Sequence, residues 1–358
     1  MPFLDLAPLP PKEQLESTDV LRALVKAHRH LAELKGVART IPNEEILLST
    51  LSLQEAQSSS AIENIIATHD ALYKHELQTS VTDPVTKEVA YYANALRLGY
   101  KLVKQQDALT LNTILEIQSC LEGNRAGFRK TPGTVLKNQQ TGEIVFEPPS
   151  PDKILGYMSD LELFINTTQE LDPLVNMALI HHQFETIHPF YDGNGRTGRI
   201  INILYLVLSD LLDVPILYLS RYINQTKSTY YKELQNVRNN SDWEAWILYM
   251  LRGISLTAKH TTTLIEKIHN LLLDQKQHIR ERHKFYSQDL INNIFHHPYT
   301  KVAFLENDLK VSRATATRYL DALAEDGVLK KHKLGRENYY INARLIDLLF
   351  NMPELKED

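Results

Sequence analysis

Helix-breaking residues crowd into one stretch of this 358-residue chain. Gly123, Gly127, Pro132, Gly133, Gly142, Pro148, Pro149 and Pro151 all lie between positions 123 and 151. On both sides of that stretch apolar residues recur every three or four positions, as they do on a helix face. Leu21, Leu24, Val25, His28 and Leu31 set this pattern, which runs through residues 15–99. It resumes at 154–166 and 174–187, where Pro189 stops it, and again in a long helix starting near Gly195. Within the broken stretch, Thr134, Val135 and Leu136 on one side and residues 143–146 on the other flank a turn over 138–142, the pattern of a short β-hairpin. The expectation is therefore a mainly α fold, a helical bundle carrying one hairpin.

Composition narrows the classes of function. Hydrophobic residues make up 43% and charged residues 23%, which is ordinary for a globular protein with room for two or three domains. A net charge of -5 gives no overall basic field for wrapping nucleic acid. Cys120 is the only cysteine, so no internal disulfide forms and a reducing compartment suits the chain. The first residues show neither a basic n-region nor a long apolar core. The most apolar run, 200–217, is interrupted by Asn202, Ser209, Asp210 and Asp213 and reads as a buried helix, not a bilayer span. A cytoplasmic protein with no membrane partner is expected.

The segment that carries chemistry is His188-Pro189-Phe190-Tyr191-Asp192-Gly193-Asn194-Gly195-Arg196-Thr197-Gly198-Arg199. Gly193 and Gly195 let the backbone approach a ligand closely. The helix that follows opens with unpaired N–H groups and the positive end of its dipole, which makes an anion cradle. Arg196 and Arg199 share a face beside it, and paired guanidinium forks suit a polyphosphate. Asp192 offers a hard oxygen to Mg²⁺, and His188 exchanges a proton near neutral pH. Base, metal ligand, anion cradle and clamps within twelve residues describe phosphoryl or nucleotidyl transfer. The plainer alternative is a glycine turn between helices whose arginines pair with surface acids.

This run resembles the signature of the Fic family, His-Pro-Phe-x-Asp-Gly-Asn-Gly-Arg-x-x-Arg, at every defined position, and the likeness extends over roughly residues 40–250. The resemblance implies a protein adenylyltransferase that moves AMP from ATP to Ser, Thr or Tyr hydroxyls of a target protein, itself included. It implies that His188 is the general base and that Asp192 binds Mg²⁺. The backbone from Gly193 to Gly195, with the Asn194 side chain, would hold the α-phosphate. Arg196 would take the β-phosphate and Arg199 the γ-phosphate, with Thr197 and Gly198 between them on the same turn. Thr134 and Val135 fall on the family's flap, which positions the target by strand addition. Pro132-Gly133 departs from the family's usual Gln-Asn there. Tyr230 and Tyr231 lie where relatives build the adenine wall, and one of them is expected to contact the base.

Upstream, Ser59-Ser60-Ala61-Ile62-Glu63-Asn64 resembles the family's inhibitory motif, in the subclass that carries it before the catalytic core. Ser59, Glu63 and Asn64 are its defined positions. The resemblance implies that Glu63 occupies Arg199 through a bidentate pair, excluding the γ-phosphate. A carboxylate on a solvated helix face is the alternative.

The expected domains are a helical region over 1–110 bearing the inhibitory helix, a Fic core over 111–258, a helical connector over 259–283 and a small domain over 284–348. That last domain reads as helices at 288–296, 301–309 and 313–325, with Ser312 as N-cap, then a hairpin, and resembles a winged helix-turn-helix. Residues 284–344 carry ten Lys/Arg against seven Asp/Glu, a net of +3. Ser312, Arg313, Thr315, Thr317 and Arg318 would face outward, with Lys330, Lys331, Lys333 and Arg336 on the wing. Weak DNA binding and homodimer formation both stay open as uses of this module. The competing functions are removal of AMP or transfer of another nucleotide at the same site, and a nucleotide-sensing DNA-binding regulator.

Overall fold

The computed structural model describes residues 6–76, 83–137, 142, 144–167, 170–334 and 337–356. The fold is mainly α. Helices α1 (Thr18–Ala38), α2 (Glu44–Ile62), α3 (His69–Glu76), α4 (Pro84–Gln106) and α5 (Leu111–Glu122) precede a hairpin of β1 (Leu136–Lys137) and β2 (Ile144–Phe146). Helices α6 (Pro151–Asn166), α7 (Pro173–Ile187), α8 (Asn194–Leu208), α9 (Leu219–Gln225), α10 (Lys227–Asn240) and α11 (Trp243–Arg282) follow. The C-terminal part is α12 (Gln288–His296), β3 (Tyr299–Lys301), α13 (Val302–Leu309), α14 (Arg313–Glu325), β4 (Lys330–Leu334), β5 (Glu337–Ile341) and α15 (Ala343–Phe350).

Several helix starts follow from local sequence. Asn43 accepts from Glu45 N, and Asp83 and Asp172 do the same service ahead of Pro84 and Pro173. A capping side chain followed by proline satisfies one orphan donor and removes another. Ser312 accepts from Thr315 N as expected.

The core is centred on α7 and α8. Ile200, Ile201, Ile203, Leu204 and Leu206 of α8 are all buried, each stabilising the fold by roughly 1.5–3 kcal/mol. Helix α4 packs closely on α8 because Gly99 has no side chain: a Cβ there would stand 2.6 Å from Leu204 Cδ1 and 2.8 Å from Ile117 Cδ1. Helix α2 is buried on several faces, wedged among α4, α9 and α12.

Three features differ from expectation. First, α11 is one helix of 40 residues, about 60 Å long. It runs unbroken through the expected boundary near 258. Thr261, Thr262 and Thr263 disfavour helix intrinsically, but packing against α1 supports the segment, with Thr257, Ala258, Thr261 and Leu264 buried. Second, Lys301 ends a strand, β3, which pairs with β5 to give a sheet of order β3-β5-β4; α13 starts one residue later, and α15 was not anticipated. Third, Thr134 and Val135 precede β1, so the hairpin strands are shorter than read. The hairpin turn at 138–141, residue 143 and the expected wing residue Arg336 lie outside the described residues.

Candidate active site

Helix α7 delivers His188. The helix closes with the His188 N–H on Phe184 O at 3.0 Å, and His188 adopts a left-handed conformation, φ 48°. Pro189 then forbids continuation. The chain turns through Asp192 and re-enters a helix at Gly193, which is also left-handed at φ 78°. A Cβ on Gly193 would collide with Glu122 Oε1, so this turn needs glycine for both reasons.

Asn194 holds the loop shut. Its Oδ1 accepts from Phe190 N at 2.8 Å and its Nδ2 donates to Phe190 O at 2.9 Å. The side-chain amide is thus committed to the loop backbone, which differs from the expectation that it faces a phosphate. The N–H groups of Asn194, Gly195 and Arg196 open α8 without intrahelical acceptors. Asp192 Oδ1 accepts from Gly193 N at 2.7 Å, and its side chain is 80% exposed. Among the described residues no group of three or more His, Cys, Asp or Glu could hold a metal ion by itself. One exposed carboxylate suits Mg²⁺ that arrives with phosphate oxygens as its other ligands.

The two arginines are both buried and both already engaged. Arg196 Nη1 meets Glu88 Oε1 at 2.6 Å, and Nη2 meets Glu122 Oε1 at 3.0 Å. Arg199 donates from Nε to Ser59 Oγ at 2.8 Å, and from Nη2 to Ser59 O at 3.0 Å and Glu63 Oε1 at 2.9 Å. The Glu63 contact therefore uses one guanidinium nitrogen and one carboxylate oxygen, not the two-point fork expected; Ser59 takes the remaining share. A Cβ on Gly195 would lie 2.5 Å from Glu63 Oε1 and 2.9 Å from Arg199 Nη1. The carboxylate thus rests against the first turn of α8, on the anion cradle itself. Burial works against the charge on Arg199, but Glu63 leads the groups that hold it firmly protonated. Asn64, left-handed at φ 64°, follows Glu63, and Lys227 Nζ donates to its Oδ1 at 3.3 Å.

His188 sits in an environment that disfavours its cation. Burial pushes His188 down to about 4, with Arg238 and Arg129 adding to the shift, so the ring is neutral at pH 7 and free to accept a proton. Thr197 is buried beside the cradle, and Gly198 lets the Glu185 carboxyl come close, 2.7 Å from where a Cβ would stand. Burial pushes Glu185 up to about 7, against Arg199. Of the two tyrosines, Tyr230 is core: its hydroxyl meets His181 Nε2 at 2.8 Å. Tyr231 is 46% exposed and stands edge-on to Tyr230 with ring centroids 5.1 Å apart. Thr134 and Val135 are half-buried on the approach to β1.

Sequence reasoning missed Glu88, Glu122, Glu185 and Arg238. Each is a charged residue on a helix, which ordinarily faces water, and nothing local distinguishes them.

The family model described as "Fic/DOC family" matches residues 108–206, and "Fic/DOC family N-terminal" matches 21–101. The chain belongs to the Fic/DOC family. A third model, "Protein adenylyltransferase SoFic-like, C-terminal domain", matches 271–345 of this Fic chain. Among curated relatives, the protein adenylyltransferase fic-1 of Caenorhabditis elegans is 28% identical over 174 residues, 46% of this chain and 30% of its own length. A probable protein adenylyltransferase of Aquifex aeolicus is 26% identical over 182 residues, 50% of this chain and 55% of its own. The protein adenylyltransferase Fic of Culex quinquefasciatus is 28% identical over 246 residues, 67% of this chain and 43% of its own. The chain thus spans about a third to a half of the relatives it matches. In fold, it is similar to a Fic family protein from Desulfovibrio desulfuricans, with a TM-score of 0.57 and 20% identity over 92% of this chain and 98% of that one. Fic-1 of C. elegans is similar at a TM-score of 0.54 and 20% identity, over 69% and 73%.

Proposed function

We propose that this Fic chain is an ATP-dependent protein adenylyltransferase that modifies protein hydroxyls, its own included, and is held back by Glu63. The observation that carries this reading is the Glu63 carboxylate resting on the Gly195 backbone and Arg199, in the position suited to a phosphate. The curated relatives' names support the reaction class.

In the reaction, neutral His188 takes the proton of a Ser, Thr or Tyr hydroxyl. The hydroxyl oxygen forms a bond to the α-phosphorus while the bond from that phosphorus to the bridging oxygen breaks, and pyrophosphate leaves. The N–H groups opening α8 hold the α-phosphate, and Asn194 shapes their loop. Arg196, whose Nε meets no acceptor among the described residues, is braced by Glu88 and Glu122 toward the β-phosphate. Arg199 receives the γ-phosphate once Glu63 withdraws. Asp192 would hold Mg²⁺, which neutralises phosphate charge when bound. Tyr231 flanks the adenine. Thr134 and Val135 lead into the flap that aligns the target.

A second reading, AMP removal, has one observation in its favour: the Glu63 carboxyl is 32% exposed, so it has room to orient a water. The C-terminal module is assigned weak duplex binding at most.

The test is Glu63→Gly with Mg-ATP, read as intact mass for added AMP. Transfer is expected to rise at least tenfold, because misplacing reacting atoms by about 1 Å costs on the order of a hundredfold. The double variant with His188→Ala is expected to be silent. An unchanged or lower rate in a folded Glu63→Gly protein overturns the inhibitory reading. Loss of activity on an AMPylated substrate favours AMP removal instead.

A further inference from the structure

Two arginines from outside α7 cover the closing carbonyls of that helix. Arg129, from the loop before β1, donates from Nε to His188 O at 2.9 Å and from Nη2 toward Ile187 O at 3.5 Å. Arg238, from α10, donates from Nη2 to Glu185 O at 3.1 Å and from Nε to Thr186 Oγ1 at 3.2 Å. A helix C-terminus attracts cations because its last carbonyls are unpaired. A buried guanidinium from Arg129 and a half-buried one from Arg238 exceed what stopping this helix needs, since His188 N already closes the turn and Pro189 ends it.

Their other contacts lead to the flap. Arg129 stands at the hairpin's entry, and its Nη2 also donates to Pro149 O, just past the exit, at 2.5 Å. Its backbone N–H donates to Pro189 O at 2.9 Å. The Arg238 Cζ lies 3.9 Å from the centroid of the Phe146 ring, the last residue of β2. Entry, exit and final strand residue of the hairpin are thus each one guanidinium away from the turn that presents His188. Phe128, whose ring centroid lies 5.4 Å from that of Phe190, and the buried Phe146 anchor the same segment by packing, and a planar fork adds direction as well as distance.

We propose that Arg129 and Arg238 are positioning residues that gear the flap to His188, so that a hydroxyl on a chain paired along the flap meets the imidazole at a fixed distance and angle. The assignment rests on the adenylyltransferase reading. A second consequence follows from charge. His188 is faced by Arg238 from α10, Arg129 from the pre-flap loop and Glu63 from α2, and it packs on its own helix at Glu185. Beyond burial, the two arginines disfavour the imidazolium, so the same groups that aim the ring also keep it neutral until it meets the hydroxyl proton.

The experiment uses the full chain in the Glu63→Gly background, with Arg238→Met, Arg238→Lys and Arg129→Lys. Two readouts are taken: kcat and KM for Mg-ATP in AMP transfer, and the NMR titration of the His188 ring without nucleotide, assigned by difference with His188→Ala. Arg238→Met is expected to lower kcat about tenfold or more, as expected for lost alignment, with KM for ATP within about twofold, and to raise the His188 midpoint from about 4 toward its usual 6.5. Arg238→Lys and Arg129→Lys keep charge without the fork, so the midpoint is expected to stay low while kcat still falls. A kcat unchanged in all three variants overturns the proposal, and so does a KM rise matching the fall in kcat. If the Glu63→Gly parent transfers no AMP, the function reading fails while the titration still judges the arginines: an unmoved midpoint in folded Arg238→Met overturns their role at His188. Should the methionine variant not fold, the two lysine variants decide by the same kcat criterion.

Discussion

Glu55 shows how far a single residue can depart from what its type suggests. It lies two turns before Glu63 on α2 and is buried. Its carboxyl accepts from Tyr92 Oη at 3.2 Å and Ser220 N at 3.3 Å, and from the Ser220 hydroxyl. Burial pushes it up to about 7 from 4.5, outweighing those hydrogen bonds and the nearby Arg199. In the unfolded chain Glu55 ionises near 4.5; in the folded protein it stays protonated up to about 7. Its contribution is therefore fully present below 4.5 and is lost as pH rises through 7. Glu55→Gln should remove that loss. Chemical denaturation at pH 4.5 and pH 8 is expected to show the variant gaining on the parent as pH rises, by up to about 3 kcal/mol. A constant difference across that range would show that Glu55 ionises normally in the fold.

At the scale of an element, the proposed brake sits at the end of a helix, with Ser59 in the last turn of α2 and Glu63 as its C-cap. Ser59 and Glu63 are four residues apart, so one face presents both to Arg199. That spacing was legible in the sequence. The division of labour between them was not, because it depends on where α8 places the guanidinium. Ser59 accepts two of the three contacts, so in the proposed lock the serine hydroxyl counts as well as the carboxylate. Ser59→Ala leaves Arg199 Nε without its acceptor, a loss of about 1–3 kcal/mol for a buried donor. Amide exchange in the last turn of α2 is expected to speed up, and AMP transfer to rise by less than in Glu63→Gly. Equal rates in parent and Ser59→Ala, for both measurements, would assign the lock to Glu63 alone.

For the whole molecule, the C-terminal module is docked against the helical body. Ser49 of α2 donates to His296 O at 2.9 Å, Tyr299 donates to Asp70 Oδ1 at 2.9 Å, and the Tyr73 and Tyr299 rings stack with centroids 5.5 Å apart. Its outward face keeps Ser312, Arg313 and Arg318 exposed, but Lys331 is paired with Asp321 at 2.6 Å. That pairing takes charge away from an already modest +3 in a chain of net -5. Phosphate contacts would be few, and binding that rests on few contacts is weak and falls with salt. Fluorescence anisotropy with duplex DNA is expected to show weak association at low salt that disappears near physiological ionic strength. Sequence-selective binding that survives salt would reverse this.

Local chemistry follows directly from the order of residues in the chain. Pro189 and Gly193 favour a helix end, a tight turn and a new helix on local grounds, and their spacing with His188, Asp192, Arg196 and Arg199 marks a candidate phosphate-handling loop. The periodicity that made α7 and α8 helices is equally local. Partnership between distant residues is a different matter. That Asn194 turns back to the Phe190 backbone, that Glu88 and Glu122 brace Arg196, that Tyr230 goes to the core and leaves Tyr231 outside, and that Arg129 and Arg238 converge on one helix end all depend on how helices far apart in sequence pack. A charged side chain carries no local mark of burial; only the tertiary fold decides which of them loses water and must find a partner inside.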